Sequence, residues 1–338
     1  MDAGSAHPRS TRCYDAIELI LRPRAQRVAS LLPAATEWLA ELGLGAAVVG
    51  VSHECDFPEE VVRGKPRLTR ARVDPEAPGD EIDRRVREVL AAGEDLYEVV
   101  AAELERLAPD LIVTQAQCDV CAVSENQVRA IAERLSPVPE ISVLGGSTLD
   151  GVVGDVLELA RQAGAEDTAP GAVRRLSNGL RELTAEASSA RPRCALLEWI
   201  DPPMTAGSWL PELVAAAGLD GMPGTKPGAK SERTTWEAVS AWDPEIIVLA
   251  PCGFPVERAE REARALLADR VRCAPLGKTK AFERGAIYAV DGNALFNRPG
   301  PRLLDSAKLL FALDRSGGGL PAGLERWAKR IFSASPRA

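Results

Sequence analysis

The sequence predicts an α/β protein of two lobes with a helical connector between them. Short apolar runs bounded by Pro and Gly alternate with segments whose apolar residues recur at helical spacing, the pattern of parallel strands and crossover helices. The order helix, X-Pro-acid, apolar strand occurs at Ala108-Pro109-Asp110-Leu111-Ile112-Val113 and again at Asp243-Pro244-Glu245-Ile246-Ile247-Val248, each followed shortly by a cysteine. Between these echoes, residues 148–187 carry no strand pattern. The chain of 338 residues is long enough for two domains at roughly 100–200 residues each. The expected division is a tail at 1–26, a first lobe at 27–147, a connector at 148–190 and a second lobe at 191–335.

In the first lobe, Arg27–Leu32 reads as a buried strand stopped by Pro33, and Thr36–Leu42 as a short helix ended by Gly43. Val48–Val51 is a second strand running into the loop Ser52–Pro58. The charged part at Ile82–Leu90 is amphipathic, and Leu96, Val99, Val100, Leu104 and Leu107 share one face of a helix closed by Pro109. Leu111–Val113 and Ile141–Val143 are strands, and Ser124-Glu125-Asn126-Gln127 has the form of a capping box opening a helix through Arg134.

In the connector, Val152, Val156, Leu159 and Ala163 form one helical stripe, and Val173, Leu176, Leu180 and Leu183 another, with Gly164 and Pro170 between them. The second lobe opens with the strand Cys194–Trp199, a loop Asp201–Trp209 and a helix ended by Gly218. A Gly/Pro/Lys-rich loop at 221–230, a helix at Thr235–Ala241 and the strand after Asp243-Pro244 follow. Ser316–Gly319 reads as a linker before a final helix containing Trp327.

The composition excludes several function classes. A hydrophobic fraction of 46% with 27% charged residues fits a globular core. A net charge of −8 argues against a nucleic-acid partner. No run approaches the ~18 apolar residues of a membrane span, and the longest apolar stretch of the N-terminal tail, Ile17–Leu21, is broken by Glu18, so a cytoplasmic chain without a signal peptide or lipoprotein motif is expected. There is no phosphate loop, nucleophile elbow or Gly-X-Gly-X-X-Gly after a strand, so a substrate-binding-type protein is expected, with a cysteine-liganded enzyme as the alternative.

Arg27–Glu37, Leu42-Gly43, Val49–Ser52, Pro109–Val113, the connector and Asn297-Arg298-Pro299-Gly300-Pro301-Arg302 together resemble the helical-backbone (class III) periplasmic-binding-protein-like family, the cobalamin and ferric-siderophore receptor type. His53–Asp56, Cys118–Cys121, Glu198–Pro203 and Pro251–Phe254 resemble its cobalamin-binding subgroup. The resemblance covers about 27–313. It implies two Rossmann-like lobes joined by a long, rigid helical connector, a ligand cleft between the lobes, a cobalamin-like or iron-containing small-molecule ligand, and an ABC-type importer as partner.

Ligands of open parallel sheets sit outside the carboxyl ends of the strands. Of the seven cysteines, Cys55, Cys118, Cys121 and Cys252 follow strands at that edge, whereas Cys13, Cys194 and Cys273 do not. Four converging thiolates suit zinc or an iron–sulfur cluster, although Cys-X-X-Cys also reads as a redox pair or as packed small hydrophobes. His53, the only histidine beyond the tail, reads as a cobalt or iron ligand or as a hydrogen-bonding loop residue. Trp199 and Trp209 read as covers for a flat macrocycle or as core, and Glu198 and Asp201 as partners of polar ligand groups or as caps. Gln115, Gln117, Asn293 and Arg298 complete the candidates, Arg298 as an anion contact or a structural anchor.

Overall fold

The computed structural model describes residues 23–116, 123–187, 189–315, 320 and 323–331. The strands are β1 (Val28–Ser30), β2 (Val48–Val51), β3 (Thr69–Ala71), β4 (Tyr97–Val99), β5 (Leu111–Gln115), β6 (Glu140–Leu144), β7 (Arg193–Ile200), β8 (Pro203–Thr205), β9 (Asp220–Gly221), β10 (Ile246–Leu249), β11 (Ile287–Val290) and β12 (Ala328–Arg330). The helices are α1 (Pro33–Glu41), α2 (Glu59–Val62), α3 (Gly79–Ala91), α4 (Ala101–Leu107), α5 (Glu125–Ala132), α6 (Leu149–Gln162), α7 (Ala169–Glu186), α8 (Leu210–Ala216), α9 (Trp236–Trp242), α10 (Val256–Ala268), α11 (Lys280–Arg284) and α12 (Leu303–Arg315). None of the described helices is long and apolar enough to cross a membrane.

Two sheets organise the chain. The first, in the order β2-β1-β5-β6, is wholly parallel. Strands β1, β2 and β5 are buried almost throughout, and the edge strand β6 less so. The second, β12-β11-β10-β7-β8 with β9 beside β7, is parallel at its centre and antiparallel at β8 and β12. An antiparallel ribbon, β3–β4, stands apart from both. The α/β class and the two-lobed plan read from the sequence agree with this arrangement.

Several elements differ from their sequence-based reading. The helix expected from Leu96 begins only at Ala101, because Tyr97–Val99 extends to pair with Thr69–Ala71. The paired residues lie 26 to 30 positions apart, from Ala71–Tyr97 to Thr69–Val99, beyond the reach of a local periodicity. The loop after β7 contains β8, which folds back on Leu197–Ile200. The segment around Trp327 is not a helix: Ala328–Arg330 adds an antiparallel edge strand to β11. The helix read from Thr36 starts at Pro33, since a proline in the first turn costs no intrahelical hydrogen bond.

The connector is a folded pair of helices rather than one rod. Gly164, with φ +63°, breaks the helical run between α6 and α7. The start of α6 reaches the second lobe, where the Leu149 N–H donates to Glu212 Oε2 at 2.8 Å, and just beyond its C-terminal end the Ala163 carbonyl accepts from the Ala25 N–H of the first. Helix α7 returns: the Thr168 hydroxyl before it donates to the Leu42 carbonyl, and Thr184 near its end to that of Ala216. Its 18 residues span about 27 Å. Apolar side chains of both lobes and of both connector helices belong to one continuous core, from Val28 to Ala328.

Candidate functional site

The carboxyl ends of the two sheets meet. From the first lobe come α1, which follows β1, and the loop 52–58, which follows β2; from the second come the loops after β10 and β11. Helix α1 buries every residue from Pro33 to Leu39, Glu37 included. A carboxylate there requires a cation, and two arrive from the second lobe. Arg302 donates to Glu37 Oε2 at 2.9 Å through Nε and to Oε1 at 2.6 Å through a terminal nitrogen. Arg298 reaches Glu37 Oε1 at 3.4 Å.

Arg298 is 5% exposed and is the hub of this seam. It donates to Asp56 at 2.5 and 3.1 Å, to Asn293 Oδ1 at 2.9 Å and to the Glu54 carbonyl at 3.3 Å. The guanidinium holds the Asp56 carboxyl below its usual range, against the opposing effect of burial. The Trp38 indole N–H donates to the Pro299 carbonyl at 2.7 Å. At Gly300 the backbone passes so close to α1 that a Cβ would lie 2.9 Å from Glu37 Oε2. Arg298 thus bridges acids and an amide of both lobes.

Beside the seam lie the loop cysteine and histidine. Cys55 is buried; its Sγ accepts a hydrogen bond from Thr36 Oγ1 at 3.1 Å, and burial pushes the thiol up to about 11. Arg67 clamps this loop by donating to the carbonyls of Ser52 and Cys55 at 3.0 and 2.6 Å. His53 is half-buried, with Nδ1 2.7 Å from Thr69 Oγ1 and its ring centroid 5.5 Å from that of Tyr97. Burial, then the nearby Arg67, lowers its pKa below 6.5. His53, Glu54, Thr69 and Tyr97, with Leu31, Ser52 and Val123, line a narrow crevice at the cleft face of the first lobe that is too tight for a water molecule.

The second lobe contributes Trp199, whose ring lies 5.0 Å from that of Phe254 and whose indole N–H donates to the Asp201 carbonyl at 3.1 Å. Cys252, half-exposed, donates its N–H to the Glu198 carbonyl. Asn293 joins the lobes, since its N–H donates to the Phe254 carbonyl and its side-chain nitrogen lies 3.4 Å from Asp56 Oδ2. The loops bearing Cys55 and Cys252 are thus linked through Asp56, Asn293 and Phe254.

The remaining candidates are placed differently. Glu198 Oε1 accepts from the Gly207 N–H at 2.5 Å, and burial holds this carboxyl above its ordinary value while the Gly207 and Ser231 hydrogen bonds oppose the shift. Asp201 pairs its carboxylate with Arg272 at 2.7 Å. Trp209 is 5% exposed, donates to the Phe296 carbonyl and belongs to the core. Gln115 is buried at the end of β5. Gln117, Cys118 and Cys121 lie outside the described residues. Among the described residues no three His, Cys, Asp or Glu side chains are grouped to hold a metal ion, so Cys55 and Cys252 fit a metal or cluster only with ligands from that loop.

Glu37, Asp56, Arg302, Thr69 and Tyr97 escaped the sequence-based choice of site residues. Glu37 did carry a signal: it is an acid within the apolar run Pro33–Leu39, which a solvated helix face would not produce.

With this geometry the chain can be compared with known proteins. Residues 28–294 match the family model described as periplasmic binding protein. The chain belongs to that family. No curated protein matches it significantly. The fold is similar to that of the periplasmic vitamin B12 binding protein of Vibrio cholerae, with TM-score 0.59 and 20% identity over 87% of this chain and 98% of that one. It is similar also to a periplasmic heme binding protein from Pseudomonas aeruginosa, with TM-score 0.62 and 19% identity over 85% and 92%. A periplasmic heme-binding protein from Roseiflexus gives TM-score 0.63 and 18% identity over 87% and 100%. At these identities the likeness is one of fold.

Proposed function

We propose that this periplasmic-binding-type protein holds a cobalamin-like corrinoid, or another iron- or cobalt-containing small molecule, between its lobes. The observation that carries the reading is the meeting of the carboxyl ends of two parallel sheets, with polar and aromatic side chains from both sides. That is the position at which open α/β sheets bind ligands. His53, Gln115 and Gln117 would serve from the first lobe, and Trp199 with Asn293 from the second. Glu198, Asp201, Trp209 and Arg298 would support the walls from behind. An ABC-type importer is the partner class that goes with family membership. Isothermal titration with cyanocobalamin, hemin and a ferric siderophore tests the reading. Saturable binding of one is expected, and no heat from any of them up to high-micromolar concentration refutes it.

A second reading is a cysteine-liganded zinc or iron–sulfur protein using Cys55, Cys118, Cys121 and Cys252. It is favoured by the linkage of the Cys55 and Cys252 loops through Asp56 and Asn293. Coordination would remove the proton that burial now keeps on Cys55. Anaerobic purification with metal analysis and an absorbance spectrum decides it. Stoichiometric zinc or iron that is lost in Cys118→Ala supports it; a colourless, metal-free protein ends it.

A further inference from the structure

The lobes touch along two seams of different physical character. The first is the Arg298–Glu37–Asp56 seam, in which Glu37 is 1% and Arg298 5% exposed at the side chain and the neighbouring helices share one core. The second is made by residues 72–96, which leave the first lobe at the end of β3 and return at β4. The Arg72 N–H to Leu96 carbonyl hydrogen bond, 3.0 Å, closes the base of this excursion. Its tip lies on the second lobe. Arg258 of α10, 5% exposed, donates to the carbonyls of Pro75 and Ala77 and lies 3.6 Å from the centroid of the Phe254 ring. Arg233 pairs with Asp83 at 2.5 Å. The start of α3 packs on Trp199, where a Cβ at Gly79 would be 3.8 Å from the indole, and Ile82 packs on the apolar cluster of the second lobe.

Despite these contacts, α3 buries little. Gly79 is its one buried residue; Arg84 and Arg85 pair with Glu81 and Glu88 at exposed positions, and Arg87 shares the largely covered Asp83 with Arg233. An element with few apolar contacts, held at one end by polar ones, opens at low free-energy cost. The crevice that Thr69 and Tyr97 line, at the root of this excursion, has no room even for a water molecule, whereas small-molecule sites generally occupy about 300–1,000 Å³.

We infer that residues 72–96 form a lid that crosses from the first lobe to the second and is latched by Arg258 and Arg233, so that ligand enters and leaves on this side while the Arg298 seam stays shut. The lid gives the proposed ligand its route, and so rests on the reading above. Its motion, however, is testable without any ligand.

Hydrogen–deuterium exchange on the full chain, followed peptide by peptide, reads it. In the wild type, amides of 82–91 should exchange at least tenfold faster than those of β5 and β10. Arg258→Ala and, separately, Arg233→Ala should each speed exchange in 82–91 at least threefold without changing β5 or β10. If Arg258→Ala fails to fold, Arg233→Ala and Asp83→Asn carry the test. The lid is refuted if 82–91 exchanges as slowly as β5 and β10, or if unlatching leaves its exchange unchanged. A mobile lid on a protein that binds neither cyanocobalamin nor hemin would leave this inference standing and remove the ligand assignment. Binding to a chain whose α3 never opens would do the reverse.

Discussion

Removing Arg298 should weaken the join between the lobes more than any other single charge deletion in the seam. Its guanidinium makes close hydrogen bonds to Asp56 at 2.5 and 3.1 Å and to Asn293 at 2.9 Å. Deleting one partner of a buried ion pair costs about 3–5 kcal/mol, because the other charge is left uncompensated. Two features place Arg298→Ala near the lower end. Glu37 keeps Arg302 at 2.6 Å, and the Asp56 side chain is 52% exposed, so water can take over part of its solvation. A loss of about 3 kcal/mol lowers the melting temperature of a chain this long by about 4 °C. Arg63→Ala is the control. Its ion pair with Glu59 is 74% and 73% exposed, and its removal should change stability by less than about 0.5 kcal/mol.

Acid should narrow the gap between wild type and variant. Asp56 has a folded pKa below its unfolded value of 3.8, so its contribution is present above that value and is lost as the pH falls through the folded one. Differential scanning fluorimetry from pH 7 down to about pH 3 reads both effects. A double-mutant cycle with Asp56→Ala should give a coupling above about 1 kcal/mol. An Arg298→Ala protein that melts with the wild type at neutral pH, with no coupling to Asp56, would refute the reasoning.

Other consequences follow from the same geometry. Cys55, whose thiol is pushed up to about 11, should resist alkylation by iodoacetamide at pH 8 in the native protein while half-exposed Cys252 reacts; peptide mass spectrometry compares them. His53 should titrate below 6.5 by NMR. Because its folded pKa is depressed, its neutral form is favoured by the fold, and stability should fall as the pH drops from about 6.5 through the folded value. Gly300→Val should destabilise by about 1–3 kcal/mol in urea denaturation, since even a Cβ stands 2.9 Å from Glu37 Oε2, which Arg302 holds in place.

Local patterns in the sequence revealed most of the architecture. Val48–Val51 is the strand its apolar run predicts, and Ser124 does cap α5, accepting from the Gln127 N–H at 3.4 Å. The two echoes around Pro109 and Pro244 mark β5 and β10, the central strands of the two sheets. Illegible elements depend on distant partners. Tyr97–Val99 is extended because β3 is there to pair with it, and Ala328–Arg330 because β11 offers a free edge. The candidate site divides in the same way. Strand-end position put Cys55 and Cys252 at one edge, and their loops are joined through Asp56, Asn293 and Phe254, whereas Glu37 and Arg298 meet across 261 positions of sequence. Spacing along the chain carries no trace of such a pair. It also cannot tell a Trp that backs a wall from one that faces the cleft: Trp209 turns into the core and Trp199 packs under the lid.

The most direct measurement of the central claim is a ligand footprint. Hydrogen exchange would be recorded with and without a saturating ligand chosen from cyanocobalamin, hemin and a ferric siderophore. Binding between the lobes predicts simultaneous protection of 52–56 in the first lobe and of 250–254 in the second, together with slowed exchange in α3. Protection confined to one lobe would contradict it.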